Sequence, residues 1–152
     1  MAGGHISMPA SVSSQYSSGL LMTGPVLRHG LTLTLTGSII SRPYIDMTLT
    51  LMRHYGASVQ WTDAHTLHAE GGGYRSGTVY DVEADWSAAS YWYERVALGP
   101  DAEAMVHLPR LYADSAQGDA AVARLFEPLG VATRFEPEGG VTLTKACSAP
   151  CV

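Results

Sequence analysis

Hydrophobic residues recur along this chain at two different spacings. In Leu31-Thr32-Leu33-Thr34-Leu35 they alternate with hydroxyl residues, which is the period of a strand with one buried face. Farther along, Ile45, Leu49 and Met52 recur at spacings of four and three, as in an amphipathic helix, and Gly56 follows as a plausible C-cap. The two periods together predict a mixed α/β fold, which some classification schemes would place in the α+β class.

The predicted elements fall into two copies of one unit. The first copy has a helix from Ser13 to Val26, the strand Leu31 to Leu35, a helix from Tyr44 to Tyr55, and the strands Ser58 to Trp61 and Thr66 to Ala69. The second has a helix from Ser87 to Leu98, the strand Ala104 to Leu108, a helix from Asp119 to Leu129, and the strands Val131 to Phe135 and Val141 to Thr144.

The offset between the copies is nearly constant. Ser14 corresponds to Ser87 at an offset of 73 residues, and Gly56 corresponds to Gly130 at 74. A period this long indicates a duplicated α/β unit, not a solenoid. A further predicted strand precedes the second copy at Thr78 to Glu83, and its short counterpart is His5 to Met8. Each unit then has the order βαβαββ.

Hydroxyl residues stand at the start of both helices in the first copy. Ser13-Ser14-Gln15-Tyr16 opens one helix, and Ser41-Arg42-Pro43-Tyr44 opens the other. A helix N-terminus has unpaired backbone N–H groups and a partial positive charge, so it favours an anion. Two such starts, one with Arg and Tyr beside Ser, suggest a phosphate that carries an organic ring. Read alone, the serines could equally be helix caps.

Composition and charge narrow the class of partner. The chain has 152 residues, a net charge of −5 and nine scattered basic residues, which disfavours nucleic acid and anionic membranes. Residues 1–5 lack the charged and apolar regions of a signal peptide, and no apolar run approaches the length that spans a bilayer, so we expect a cytoplasmic protein. No cofactor and no metal site are predicted. His65 and His68 should point to opposite faces of a strand, and Cys147 and Cys151 lie in a tail, residues 147–152, expected to be irregular.

Five segments in order resemble the 5-enolpyruvylshikimate-3-phosphate synthases, the 3-phosphoshikimate 1-carboxyvinyltransferases of the shikimate pathway. The segments are Ser11-Val12-Ser13-Ser14-Gln15-Tyr16, Leu20-Leu21-Met22, the stretch Ser41-Arg42-Pro43-Tyr44-Ile45-Asp46-Met47-Thr48-Leu49, Val82-Glu83-Ala84-Asp85-Trp86-Ser87, and Ser115-Ala116-Gln117-Gly118-Asp119. The resemblance implies an inside-out α/β barrel of six βαβαββ units in two lobes. Residues 1–82 would be the last unit of one lobe and residues 83–146 the first unit of the other.

The same resemblance implies roles for five residues. Ser13, Ser14 and Ser41 would hold the phosphate of shikimate 3-phosphate. Gln15 would lie between that substrate and phosphoenolpyruvate and hydrogen-bond both. Tyr44 would flank the shikimate ring. The family moves the enolpyruvyl group of phosphoenolpyruvate to the 5-hydroxyl of shikimate 3-phosphate and releases phosphate, in chorismate and aromatic amino acid biosynthesis.

The chain departs from the family by what it does not contain. The family's phosphoenolpyruvate-binding loop, its clamping arginines and its catalytic Asp, Glu and Lys have no counterparts here, so we expect no catalytic residue and little activity from this piece alone. The remaining segments of a longer enzyme, or self-association, would cover its apolar faces. The alternative is a non-catalytic module that binds a phosphate ligand or takes part in assembly.

Several other residues are expected to be structural. Asp46 and Asp119 lie in the first turns of their helices, where carboxylates are favourable. Arg42 is interpreted as a solvated loop charge. Asp85 lies near the junction of the copies and is expected not to be catalytic. An aromatic cluster on one helix is expected to pack in the core; it comprises Trp86, Tyr91, Trp92 and Tyr93.

Overall fold

The computed structural model of the chain describes residues 1–146. The cysteines Cys147 and Cys151, and the predicted irregular tail at residues 147–152, lie outside the described residues. The chain divides into two compact units, the first comprising residues 1–80 and the second starting at Asp81. Both units combine helices with a sheet, which confirms the mixed α/β class.

The first unit follows the predicted order βαβαββ. Its elements are β1 (Gly4–Pro9), α1 (Ser14–Thr23), a 3₁₀ turn (Gly24–Val26), β2 (Leu31–Thr36), α2 (Arg42–His54), β3 (Val59–Trp61) and β4 (Thr66–Ala69). The sheet order is β1-β2-β4-β3. Strands β1 and β2 are parallel, and the other neighbours pair antiparallel.

Leucine and threonine alternate along β2, so one face of this sheet is apolar and buried and the other is polar. Leu31, Leu33 and Leu35 are at most 2% exposed, whereas Thr32 and Thr34 are half-buried on the other face. Both helices cover the leucine face, and the core combines residues of the helices and the strands. Its members include Leu21, Ile45, Leu49, Met52, Val59 and Leu67.

Within residues 81–146, the second unit has one strand fewer than the first. Its elements are α3 (Trp86–Leu98), β5 (Met105–Leu108), a 3₁₀ turn (Gly118–Ala121), α4 (Val122–Leu125), a 3₁₀ turn (Glu127–Leu129), β6 (Val131–Phe135) and β7 (Val141–Lys145). The sheet order β5-β7-β6 repeats the order β2-β4-β3 of the first unit. Trp86, Tyr93 and Val96 of α3 pack on Val131 and Leu143 of the sheet.

The predicted strand from Thr78 to Glu83 is wrong. The segment is irregular, and Val79 and Val82 are 85% and 68% exposed. A strand needs a continuous ladder of hydrogen bonds, whereas residues 78–83 make no main-chain to main-chain hydrogen bond with any other described residue; the next such bond runs from the Ala84 N–H to the Arg110 carbonyl.

The predicted continuous helix from Asp119 to Leu129 is also wrong. The segment consists of a single α-helical turn at Val122–Leu125 between two 3₁₀ turns. Pro128 has no N–H to donate, and its ring would clash with the carbonyl of Arg124 in a continuing helix. Gly130, with φ of +81°, ends the segment in the left-handed conformation, as expected for a C-cap.

Candidate functional site

The starts of α1 and α2 lie at the same end of the first sheet, beyond the carboxyl ends of β1 and β2. Because β1 and β2 are parallel and Pro9 pairs with Thr36, both strands end at the same level, and each is followed by a short loop and a helix. The helices are in contact through a hydrogen bond of 3.1 Å from the Thr48 hydroxyl to the Ser18 hydroxyl. The N-termini of both helices, each with a partial positive charge, therefore lie at this end of the sheet.

Ser13 caps helix α1. Its Oγ accepts a hydrogen bond of 3.3 Å from the Gln15 N–H, which satisfies one of the unpaired donors of the first turn. The hydroxyl proton of Ser13 is still available to a further acceptor. Ser14 is half-buried, and Gln15 is exposed. The structure thus places the three predicted residues of the first motif together at an accessible helix start.

Ser41 occupies the cap position of α2 but makes no side-chain cap bond. Its carbonyl accepts from the Tyr44 N–H at 3.2 Å, and its side chain is half-buried. Tyr44 is 49% exposed, on the first turn of the same helix. Neither α1 nor α2 has an acidic residue in its first turn. An anion at this end of the sheet would therefore meet hydroxyl groups and two helix N-termini, and no carboxylate in the first turn of either helix.

The Arg42 side chain binds the β3–β4 hairpin. Its guanidinium lies 4.1 Å from the centre of the Trp61 ring, donates to the Ala64 carbonyl at 3.3 Å, and is 3.7 Å from the Asp46 carboxylate. The other Asp46 oxygen accepts from the Trp61 indole N–H at 2.7 Å. The interpretation of Arg42 as a solvated loop charge was therefore wrong, because Arg42 is the first residue of α2 and packs on the hairpin. Asp46 is structural, as expected, but it lies beyond the first turn of α2, where the sequence had placed it.

An open polar cleft lies beside the start of α2. It has a volume of about 620 Å³ and is lined by Gly37, Ser38, Ile39, Arg42, Ala64 and His65. Arg42, which lines the cleft, follows Ser41 in the chain, but none of the five predicted site residues lines the cleft itself. Asp63 shapes the hairpin tip here: its carboxylate accepts the N–H groups of His65 and Thr66, both at 2.8 Å. The backbone bond from His65 is the main cause that lowers the pKa of Asp63.

The corresponding helix start of the second unit is filled by the chain's own carboxylates. Asp85 caps α3 by accepting from the Ser87 N–H at 2.8 Å. Asp119 accepts a short hydrogen bond from the Ser87 hydroxyl. These two negative charges lie where an anion would otherwise bind, so the duplicated position is unsuited to phosphate. Asp119 has the structural role that the sequence predicted, although it lies in the first turn of a 3₁₀ turn and not of an α-helix.

The aromatic cluster on α3 divides into two pairs. Trp86 and Tyr93 are fully buried, which confirms core packing for them. Tyr91 and Trp92 are 73% and 49% exposed, so the prediction of core packing was wrong for these two. The reason is helical geometry, because a run of consecutive residues covers all sides of a helix and only one side faces the sheet.

Sequence reasoning missed the residues that support the two helix starts. Trp61 stacks on Arg42, and Ser18 and Thr48 join the helices. A signal for the second pair was present: small hydroxyl residues at interior helix positions often mark a close helix–helix contact. The partners themselves could not be identified, because they are 30 residues apart in the chain.

Residues 1–146 contain no group of three or more His, Cys, Asp or Glu side chains that could hold a metal ion. None of the helices in this part of the chain combines the length and the apolar character that crossing a membrane requires.

Comparison with known proteins identifies the family. The model of the family EPSP synthase (3-phosphoshikimate 1-carboxyvinyltransferase) matches residues 1–147. Two proteins named 3-phosphoshikimate 1-carboxyvinyltransferase, from Bacteroides fragilis strains ATCC 25285 and YCH46, are each 48% identical over 145 residues. A protein of the same name from Idiomarina loihiensis is 38% identical over 134 residues.

The matches cover most of this chain but a minor part of each relative. They include 95% of the chain and 34% of either Bacteroides protein, and 87% of the chain and 30% of the Idiomarina protein. The chain thus spans about a third of the length of the curated relatives it matches. The resemblance found in the sequence is confirmed: the chain belongs to the EPSP synthase (3-phosphoshikimate 1-carboxyvinyltransferase) family.

Proposed function

We propose that this chain is the shikimate 3-phosphate-binding part of a transferase that moves the enolpyruvyl group of phosphoenolpyruvate to the substrate's 5-hydroxyl. The observation that carries the proposal is the pair of hydroxyl-bearing helix starts beyond the carboxyl ends of β1 and β2, with no carboxylate in the first turn of either helix. The relatives' name, 3-phosphoshikimate 1-carboxyvinyltransferase, supplies the substrate and the reaction. The proposed setting is the shikimate pathway in the cytoplasm.

The phosphate is bound by Ser13, Ser14 and Ser41. Each hydroxyl donates one proton, and the helix N-termini add a partial positive charge, so a dianion is held without an equal buried countercharge. Ser13 can accept the Gln15 N–H and donate to phosphate at the same time. Ser41 has no cap bond to give up, so binding a ligand costs it no existing interaction.

Gln15 and Tyr44 provide contacts beyond the phosphate. The Gln15 carboxamide is exposed and has both a donor and an acceptor, so it can bind shikimate 3-phosphate and phosphoenolpyruvate together. Tyr44 presents an apolar ring face and a polar tip from the first turn of α2, which fits the side of a hydroxylated ring. Binding and orientation are the contributions that this chain makes.

The chemical step requires groups from elsewhere in a full-length enzyme. A proton adds to the methylene carbon of phosphoenolpyruvate, and the 5-hydroxyl oxygen bonds to the neighbouring carbon and loses its proton. Phosphate then leaves from that carbon, and the new methyl group loses a proton, which restores the double bond. Anionic charge on both substrates demands a cationic cradle. Six of the nine Lys and Arg residues already bind groups of the chain itself: Arg42, Arg53, Arg75, Arg110, Arg134 and Lys145. We therefore propose that the isolated chain binds without turnover.

The domain assignment is part of the proposal. Residues 1–82 form the last βαβαββ unit of one lobe, and residues 83–146 form the first unit of the other. The division of the chain between Tyr80 and Asp81 supports this boundary. The common order of the last three strands in each unit supports their origin from one repeated unit.

Calorimetric titration with shikimate 3-phosphate tests the proposal. Loss of one hydrogen bond to a charged phosphate costs about 2 kcal/mol, or about 30-fold in Kd, so Ser14→Ala and Ser41→Ala should each weaken binding by that factor. Ser87→Ala is the matched control, because Ser87 occupies the position of Ser14 in the second unit. It should leave the affinity unchanged.

Two outcomes would count against the proposal. One is a chain that does not bind shikimate 3-phosphate, and the other is equal weakening by all three variants. A non-catalytic phosphate-binding module predicts in addition that inorganic phosphate competes fully and that the missing segments, supplied as a second polypeptide, restore no turnover. Restored turnover would support the transferase.

A further inference from the structure

Helix α2 begins without a side-chain cap. In residues 1–146, the other two helices of eight or more residues each have one: the Ser13 hydroxyl caps α1 and the Asp85 carboxylate caps α3. Ser41, at the cap position of α2, makes no such bond, and its φ of −92° and ψ of 28° differ from the extended backbone of a capping residue. The first turn of α2 is therefore held by contacts with other parts of the unit.

The β3–β4 hairpin makes these contacts. Arg42 is the first residue of α2, and its guanidinium lies 4.1 Å from the centre of the Trp61 ring and donates to the Ala64 carbonyl at 3.3 Å. Asp46, one helical turn later, accepts from the Trp61 indole N–H at 2.7 Å. We call these three contacts the hairpin clamp. They bind the start of the helix on one side, because residues four apart lie on the same face.

The hairpin can act as a fixed support because hydrogen bonds close its turn. The Asp63 carboxylate accepts the N–H groups of His65 and Thr66, both at 2.8 Å. Behind the turn, β4 pairs with β2 in the middle of the sheet. The sheet therefore fixes the position of Trp61, and Trp61 in turn fixes that of Arg42.

The second unit has no such clamp among its described residues. At an offset of 73 residues, Ser115 stands in the place of Arg42 and donates to the Glu83 carboxylate at 2.7 Å. Asp119 stands in the place of Asp46 and binds the start of α3 instead. The clamp is thus confined to the unit in which the phosphate site is proposed.

We propose that the hairpin clamp replaces the missing cap and thereby positions Ser41 for the phosphate, a role that rests on the site of the proposed function. Arg42 and Trp61 are then positioning residues. Because the clamp holds the first turn, the Ser41 hydroxyl can turn toward a phosphate without loosening the helix. The Arg42 guanidinium is occupied at the hairpin, so it acts through the position of the helix start and not by contact with the phosphate.

Calorimetric titration with shikimate 3-phosphate tests whether Trp61 matters without touching the ligand. Trp61→Leu removes the stack and the indole bond, and we expect the affinity to fall about fivefold, the equivalent of one exposed cation–π contact. Trp61→Phe keeps a ring face for Arg42 and should restore most of the loss. Trp92→Leu is the matched control, because Trp92 is half-exposed on α3, and it should leave the affinity unchanged. Equal affinity of Trp61→Leu and the unmodified chain would overturn the proposal.

A double-mutant cycle separates positioning from direct contact. Arg42→Gln should weaken binding about fivefold in the unmodified chain and cause no further loss in the Trp61→Leu background, because both changes break the same stack. Equal losses in both backgrounds would mean that Arg42 binds the phosphate itself, and this outcome would contradict the positioning role.

Amide hydrogen exchange tests the clamp without a ligand. The Tyr44 N–H donates to the Ser41 carbonyl at 3.2 Å, and the Tyr16 N–H donates to the Ser13 carbonyl at 3.0 Å at the same position of α1. In Trp61→Leu we expect faster exchange at Tyr44 and unchanged exchange at Tyr16. If the unmodified chain did not bind shikimate 3-phosphate, the proposed function would fail, and the exchange alone would decide whether the clamp holds the helix. Unchanged exchange at Tyr44 would overturn the clamp as well.

Discussion

Asp46 shows how one side chain serves two partners. The prediction that it lies in the first turn of its helix was wrong, because α2 begins at Arg42 and has no acidic residue in its first turn. The sequence also did not show that its carboxylate accepts the Trp61 indole N–H at 2.7 Å while it pairs with Arg42. Trp61 is 15 residues away in the chain, and such a contact exists only after the hairpin packs on the helix. The carboxylate thereby fixes the hairpin beside the start of α2.

Substitution of Asp46 should separate the two contacts. Asp46→Ala leaves the Trp61 N–H without its acceptor and should lower the free energy of unfolding by about 1–2 kcal/mol. Asp46→Asn keeps an acceptor oxygen and loses only an exposed ion pair, so its cost should be within about 0.5 kcal/mol. Urea denaturation of both variants makes the comparison, and equal losses would show that the indole bond has no special role.

Tyr93 should make stability depend on alkaline pH. Burial raises the pKa of its hydroxyl above the ordinary value of 10.0, and the bond with Thr133 opposes this shift. Above about pH 10 the unfolded chain therefore loses this proton more readily than the folded chain and binds fewer protons, so stability falls as pH rises. In Tyr93→Phe the fall measured by denaturation between neutral and alkaline pH should be shallower. An identical pH dependence would contradict this assignment.

At the scale of elements, period and turn residues predicted most of the first unit. The Leu–Thr alternation of β2 works as a signal because one face of the sheet is buried and the other is open. Two predicted elements failed, one at residues 78–83, where the two units meet in the sequence, and one at residues 119–129 of the second unit. Alternation cannot show whether a partner strand is available, and a helical pattern that contains Pro128 cannot continue. The parallel alignment of the two helix starts followed from the predicted βαβα order, but their contact partners did not.

Gly30 lies between the 3₁₀ turn Gly24–Val26 and strand β2, in a left-handed backbone conformation that other residues adopt with difficulty. It has φ of +65°, and a Cβ there would lie 2.2 Å from the Ala69 carbonyl oxygen. Gly30→Ala should therefore disturb the pairing of β2 with β4 and cost at least about 2 kcal/mol in chemical denaturation.

Gly77→Ala is the control for this substitution. Gly77 has φ of +73°, but no atom lies within 4 Å of the position of a Cβ, so only the backbone strain of about 1 kcal/mol remains. Equal effects of the two substitutions would show that close packing at Gly30 contributes nothing.

At the scale of the whole molecule, the chain spans about a third of the length of its relatives, and the phosphate site that we propose lies in one of its two units. Loss of a single donor to a developing negative charge costs roughly 3 kcal/mol in activation free energy, and here a whole cationic cradle would be absent. Purified chain with both substrates should therefore release no phosphate above background. Turnover on the order of 10 per second would mean that the chain supplies this cradle itself.

The most direct measurement is a titration of isotope-labelled chain with shikimate 3-phosphate, followed by the amide resonances of the helix starts. We expect saturable shifts at Ser13, Ser14 and Gln15 and, with the same Kd, at Ser41 and Tyr44. The amides of Asp85 to Ser87, at the carboxylate-filled start of α3, should not move. Shifts confined to one of the two motifs, or equally large shifts at α3, would contradict the claim that the starts of α1 and α2 form one phosphate site.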